Sequence, residues 1–162
     1  MFKIYRAILI IIALSCFSCE LKSKTGLYLE RGLDILSNRK QVDFSFNEEI
    51  VVEEIGVIRD KKENKKTLVF KLQEDVTAGD LAGYVLGVRA VIRGKGNKKR
   101  VEEWDFKPVI TEVKNTRYLV KDIHVKEDKI QEFTVYLYRV GDGEKHVQGN
   151  VLTVNNLYTY ND

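Results

Sequence analysis

From Val42 to Val154 the chain alternates apolar and polar residues with a period of two, in runs separated by short polar joints. That repetition restricts it to architectures built from strands, because successive side chains of an extended chain point to opposite faces. Val42-Asp43-Phe44-Ser45-Phe46 alternates residue by residue, and Glu49 to Ile58 is dense in β-branched side chains. Thr67 to Leu72 sets Leu68, Phe70 and Leu72 on one face. Tyr84 to Ile92 sets Leu86, Val88, Ala90 and Ile92 against Val85, Gly87, Arg89 and Val91. Val101 to Ile110, with Trp104 and Phe106 sharing a face, Arg117 to Val125, Phe133 to Val140 and Lys145 to Val154 bring the total to about eight strands. Short strands in such number predict an all-β fold, an antiparallel β-sandwich of immunoglobulin-like kind, in which two sheets bury their inner faces against each other.

The joints agree with that reading. Gly94-Lys95-Gly96-Asn97 and Gly141-Asp142-Gly143-Glu144 supply residues that tolerate positive φ, as hairpin turns require. Asp60 to Lys66 reads as a longer polar hairpin tip. Ahead of the strands, apolar residues at 27, 29, 33, 35 and 36 predict one short helix over Leu27 to Ser37, although Gly32 weakens it. Gly79, Gly83 and Gly87 repeat every fourth residue, as in close-packed membrane helices. Leu81 to Ile92 is nevertheless too short to span a bilayer and contains Arg89, so a strand is expected there.

The beginning of the chain follows different rules. Lys3 and Arg6 precede Ala7-Ile8-Leu9-Ile10-Ile11-Ile12-Ala13-Leu14, and Ser15-Cys16-Phe17-Ser18-Cys19 follows. Such a segment, as a helix, rises about 12–15 Å, half of a ~30 Å hydrocarbon core, so it reads as a signal sequence rather than a permanent span. A small residue immediately before a cysteine marks a bacterial lipoprotein signal, in which the thiol is alkylated by diacylglycerol. Cys19 is the expected lipid-bearing residue and Cys16 the alternative. The chain then divides into a signal peptide at 1–18, the lipidated cysteine with a short tether at 19–26, and one β-rich domain at 27–162.

Met1-Phe2-Lys3, the Ile- and Leu-rich core and the Ser-Cys-Phe-Ser-Cys ending resemble the leaders of spirochaetal envelope lipoproteins, particularly borrelial ones. The resemblance implies a lipid anchor in the outer membrane, with the domain on the cell surface or facing the periplasm. It covers the leader and assigns no residue beyond the lipid-bearing cysteine.

Charge and chemistry narrow the remaining classes. Of 27 basic residues Lys3 and Arg6 lie in the leader, whereas all 24 acids follow it, so 25 basic residues face 24 acidic ones in the body. That balance, with no aromatic stacking pattern, gives no support to nucleic-acid binding. Both cysteines lie at the end of the leader, which excludes a disulfide framework or a thiolate metal site in the body. His124 and His146 stand apart from any second ligand at metal spacing, and no cofactor motif is present. Glu48-Glu49, Glu53-Glu54 and Glu102-Glu103 with Asp105 are neighbours on strands, so adjacent members diverge rather than form a hydrolytic dyad.

Two features remain as candidate contacts. Tyr136 and Tyr138 share a strand face, Tyr158 and Tyr160 alternate further on, and together they form a candidate surface for a protein partner. The lysine-rich tips at 61–66 and 95–100 offer contact with a polyanion. The expected function is that of a membrane-tethered, non-catalytic binding module at the cell envelope. The alternatives are a periplasmic structural or assembly factor and, last, an enzyme.

Overall fold

The computed structural model describes Leu29 and residues 39–60, 65–93, 98–123 and 130–158. Nine strands run through them: β1 (Arg39–Ser45), β2 (Val51–Asp60), β3 (Lys65–Leu72), β4 (Val85–Arg93), β5 (Lys99–Phe106), β6 (Ile110–Val113), β7 (Thr116–Ile123), β8 (Ile130–Gly141) and β9 (Glu144–Tyr158). They form two sheets, one ordered β1-β2-β3-β7-β6 and the other β5-β4-β8-β9. Every pairing is antiparallel. The fold is thus all-β, with the sheets packed face to face as a sandwich.

Alternation decides which side of each strand is buried. Leu68, Phe70 and Leu72 of β3 and Leu119 and Ile123 of β7 face Leu86, Val88, Ala90 and Ile92 of β4 and Phe133, Val135 and Leu137 of β8, all essentially without exposure. Each of these Leu, Ile, Val and Phe side chains, fully buried, contributes about 1.5–3 kcal/mol of transfer free energy. The opposite face of the five-stranded sheet carries a second, smaller cluster. There Leu29 packs with Ile58, Val69 and Tyr118.

One expected strand divides. Val101 to Ile110 is not continuous: β5 stops at Phe106, Lys107-Pro108-Val109 carries the chain across, and β6 begins at Ile110 in the other sheet. Pro108 has no N–H to donate to a ladder, so the break falls where pairing would fail. Two-residue turns close two hairpins. Asp142 and Gly143, at φ 52° and 80°, join β8 to β9 as expected, and Lys114 and Asn115, at φ 49° and 63°, join β6 to β7. Both have the left-handed pairs that match strand twist.

The short helix expected over Leu27 to Ser37 lies outside the described residues except for Leu29, whose backbone is helical. The leader and the Gly94–Asn97 tip lie outside them too. The glycine repeat forms no single element. Gly79 and Gly83 belong to the turn-rich crossover from β3 to β4, and Gly87 lies within β4. Arg117 anchors that crossover by donating from Nη1 to the Val76 carbonyl at 2.8 Å.

The sandwich is fastened along one side. Opposite the step from Tyr136 to Leu137, β9 carries two extra residues, Gly149 and Asn150. This bulge turns Asn150 towards the end of β1, where its backbone N–H donates to the Phe46 carbonyl at 2.8 Å and its side-chain amide to the Ser45 carbonyl at 3.0 Å. Lys40 on β1 adds a bond to the Asn155 carbonyl.

Candidate functional site

The outer face of the β5-β4-β8-β9 sheet is assembled by register. Gly87 of β4 lies between Asp105 of β5 and Tyr136 of β8, and Val151 of β9 follows Tyr136. One step along, Tyr138 lies between Val85 and Val147. Arg89 pairs with Glu103 on one side and Thr134 on the other.

Gly87 sets the position of Tyr136. A Cβ there would lie 2.5 Å from the tyrosine ring, so the ring lies across the strand where the backbone has no side chain. Tyr136 and Tyr138 are 6.0 Å apart between ring centroids, tilted by 38°. Lys145 covers the second ring, with Nζ 4.9 Å from its centroid, and reaches Asp105 Oδ2 at 2.7 Å. Tyr138 is consequently only 3% exposed. Burial pushes its phenol above the ordinary tyrosine range, and its hydrogen bond with Asp105 adds to the effect. The same carboxylate, through its hydrogen bond, raises the Lys145 ammonium above the ordinary lysine range.

Two ion pairs close within this face, while Arg93 and Lys99 also lie on it, opposite each other, with Glu132 across from Val91. Lys145 pairs with Asp105, and Arg89 Nε lies 3.5 Å from Glu103 Oε1. Exposed aliphatic side chains stand among these charges. Val101, Val140, Val147 and Val151 are each between 47% and 64% exposed, and they are four of the five large exposed hydrophobic residues among those described. All four project on this side by register; the fifth, Val109, lies in the link between β5 and β6.

Of the tyrosines expected to form a partner surface, two lie side by side on this face. Tyr136 is half-buried over Gly87, and Tyr138 is packed beneath Lys145. Tyr158 ends β9 opposite Ile130, distant along the strand from the other two, and its side chain is outside the described residues, as is all of Tyr160. Cys16 and Cys19 are likewise outside them. The valines were legible only as strand formers. Their exposure depends on which face of the sheet turns inward.

Other candidates resolve individually. His124 is outside the described residues, and His146 is exposed with Nε2 3.2 Å from the Gly141 carbonyl. Among the described residues no group of three or more His, Cys, Asp or Glu is placed to hold a metal ion. Neighbouring carboxylates take separate cations: Glu53 meets Lys71 at 2.8 Å, Glu54 meets Arg39 at 3.2 Å, and Glu102 meets Arg100. The hydrogen bond from Lys71 to Glu53 raises the ammonium above its ordinary range. Those two residues border an open hollow of about 430 Å³, lined also by Leu72, Gln73, Glu74, Asp75 and Thr116. Of the lysine-rich tips, 61–64 and 94–97 are outside the described residues. Lys66 is buried, in contrast to the exposed lysine expected at a hairpin tip.

Comparison with protein-family models, with curated proteins and with solved structures finds no match to this chain.

Proposed function

We propose that the chain is a lipid-tethered module of the bacterial envelope that binds a protein partner through the outer face of the β5-β4-β8-β9 sheet. The observation that carries this reading is the run of exposed Val147 and Val151 on β9 directly beside Tyr138 and Tyr136, with exposed Val140 next along β8. Apolar patches of this kind, rimmed by polar residues, mark interaction sites on otherwise polar proteins. The anchor is a thioether-linked diacylglycerol on Cys19, with Cys16 as the alternative, and the resemblance of the leader to spirochaetal lipoproteins supports an outer-membrane address. Two or more acyl chains suffice for stable attachment, since each buried methylene is worth about 0.8 kcal/mol.

The domain is an immunoglobulin-like sandwich in this reading. The orders β2-β3-β7-β6 and β5-β4-β8-β9 support it, since they follow the A-B-E-D and C′-C-F-G arrangement of that fold, with β1 as an added edge. The chain departs from antibody domains in lacking the inter-sheet disulfide and in carrying Trp104 on β5 rather than on β4. Contact of the lysine-rich tips with a polyanion is a secondary property of the same proposal.

The test is capture from intact envelopes with the full-length lipoprotein and a Val147→Lys/Val151→Lys variant, combined with protease treatment of whole cells and mass spectrometry of the N-terminal peptide. The reading expects an acylated cysteine and a partner lost in the variant. Free thiols at both Cys16 and Cys19 would remove the tether, and an unchanged capture profile would remove the face. Protease digestion separates surface display from a periplasmic location.

A further inference from the structure

We infer that residues 30–36 lie across the outer face of the β1-β2-β3-β7-β6 sheet, as a strap that the chain docks on itself and that closes this face to other partners. The inference is independent of the partner proposed for the opposite sheet.

Burial on the outward side of the sheet comes first. Ile58, Val69 and Tyr118 alternate with Val57, Leu68, Phe70 and Leu119, which fill the space between the sheets, so they point away from it. An antiparallel sheet packed on one side ordinarily leaves its other side to water. Here Val69 is nevertheless 0% exposed, Ile58 and Tyr118 are 3% each, and Gly56, paired with Val69, is buried as well. Among the described residues Leu29 is the one from outside the sheet that packs on them. A buried residue touches about 6–12 others, so one leucine does not close a patch that spans β2, β3 and β7. The rest of the cover belongs to the chain beside Leu29.

Chain length identifies the segment. Arg39, where β1 begins, lies in one register row with Gly56, Val69 and Val120. From β3 or β7 back to β1 is two or three strand spacings, about 10–14 Å. Ten residue steps separate Leu29 from Arg39. As a helix they rise about 15 Å, whereas extended they would reach about 33 Å. Leu29 has a helical backbone, so the chain after it has the length to cross the face and little to spare.

The residue pattern supplies the contact. Leu29, Leu33 and Leu36 stand at i, i+4 and i+7, one side of a helix, while Glu30, Arg31 and Asp34 fall on the other. The strap also sets where the chain ahead of it leaves the fold. With lipid on Cys19, residues 19–26 allow at most about 27 Å between bilayer and domain. That last consequence alone rests on the proposed tether.

The experiment is maleimide labelling of Val69→Cys in the full-length chain, with the modified position read by peptide mass spectrometry. Thr111→Cys, exposed on the same sheet, sets the open rate, and Val135→Cys, between the sheets, sets the closed one. Val69→Cys is expected to react at least tenfold more slowly than Thr111→Cys. Leu33→Asp/Leu36→Asp should raise its rate tenfold or more while Val135→Cys stays protected, and Glu30→Gln/Asp34→Asn should leave it unchanged. Parity with Thr111→Cys from the start, or protection indifferent to the leucine pair, overturns the inference. If the leucine pair also frees Val135→Cys, the domain has unfolded and Leu33→Ala decides: a selective rise at Val69→Cys sustains the strap, and the lack of one rejects it. No outcome alters capture through Val147 and Val151, so the strap and the binding face stand or fall separately.

Discussion

Gly87 and Gly149 are both glycines without room for a Cβ, yet the obstacles differ in kind. At Gly87 the atoms in the way are the far end of the Tyr136 ring, which can swing outward. At Gly149, with φ at +68°, the obstacle is the Phe46 carbonyl, which is fixed backbone. Gly87→Ala is expected to cost about 1 kcal/mol and to alter the near-ultraviolet circular dichroism of Tyr136. Gly149→Ala combines left-handed strain with a backbone clash and is expected to cost about 2–4 kcal/mol, read from urea denaturation midpoints. Asp105→Asn tests the second tyrosine. With the carboxylate gone, the Tyr138 phenol titrates at lower pH than in the parent protein, but still above an exposed tyrosine because burial persists. Spectrophotometric tyrosinate titration reads both effects. That Tyr138 is covered could not be seen from its own strand, since Lys145 and Asp105 arrive from β9 and β5.

At the scale of elements, the period-two pattern located the strands, and Asp142-Gly143 located their last turn. It missed what depends on strand partners. The alternation of β5 continues in sequence past Phe106, and only the ladder requirement at Pro108 shows that the chain must leave the sheet there. Lys114-Asn115 makes a hairpin turn without glycine, so the signal that marked the other turn is absent. The Gly149-Asn150 bulge was invisible for a related reason: its role is to meet β1, far away in the chain. Asn150→Ala removes the bond to the Ser45 carbonyl while leaving the backbone bond to Phe46, and is expected to destabilise the protein by about 1 kcal/mol. Hydrogen exchange should rise first at Arg39–Ser45 and at the adjoining part of β9. Uniform change across both sheets would show that the bulge is not a local fastening.

For the whole molecule, pH sets two boundaries. The Thr77 backbone N–H, and then its hydroxyl, hold the Asp80 carboxyl below the ordinary range. Stability from that group is present above the ordinary aspartate value and declines as pH falls through the depressed one. Lys71 and Lys145 are raised, chiefly by their hydrogen bonds to Glu53 and Asp105, and Tyr138 is raised chiefly by burial. Their contribution is full below the ordinary lysine and tyrosine values and is lost as pH rises through the raised ones. Urea midpoints should therefore show a broad neutral plateau with small declines at both ends. Asp80→Asn should flatten the acid limb alone. Fold class was legible because one pattern recurs along most of the chain. The candidate face was not, because it is made of residues that four separate strands contribute.

The fastening of β9 to β1 also decides how the molecule carries tension. In the proposed function, a pull between an anchor attached ahead of Leu29 and a partner gripping the far sheet passes from one sheet to the other. Outside the hydrophobic core, the described links between the first and last strands are the bonds from Asn150 to Ser45 and Phe46 and from Lys40 to Asn155. Hydrogen bonds that break together resist shear better than bonds that open one at a time. In the proposed setting, these few polar bonds at the rim are the part of the β1–β9 contact that such a pull loads in shear.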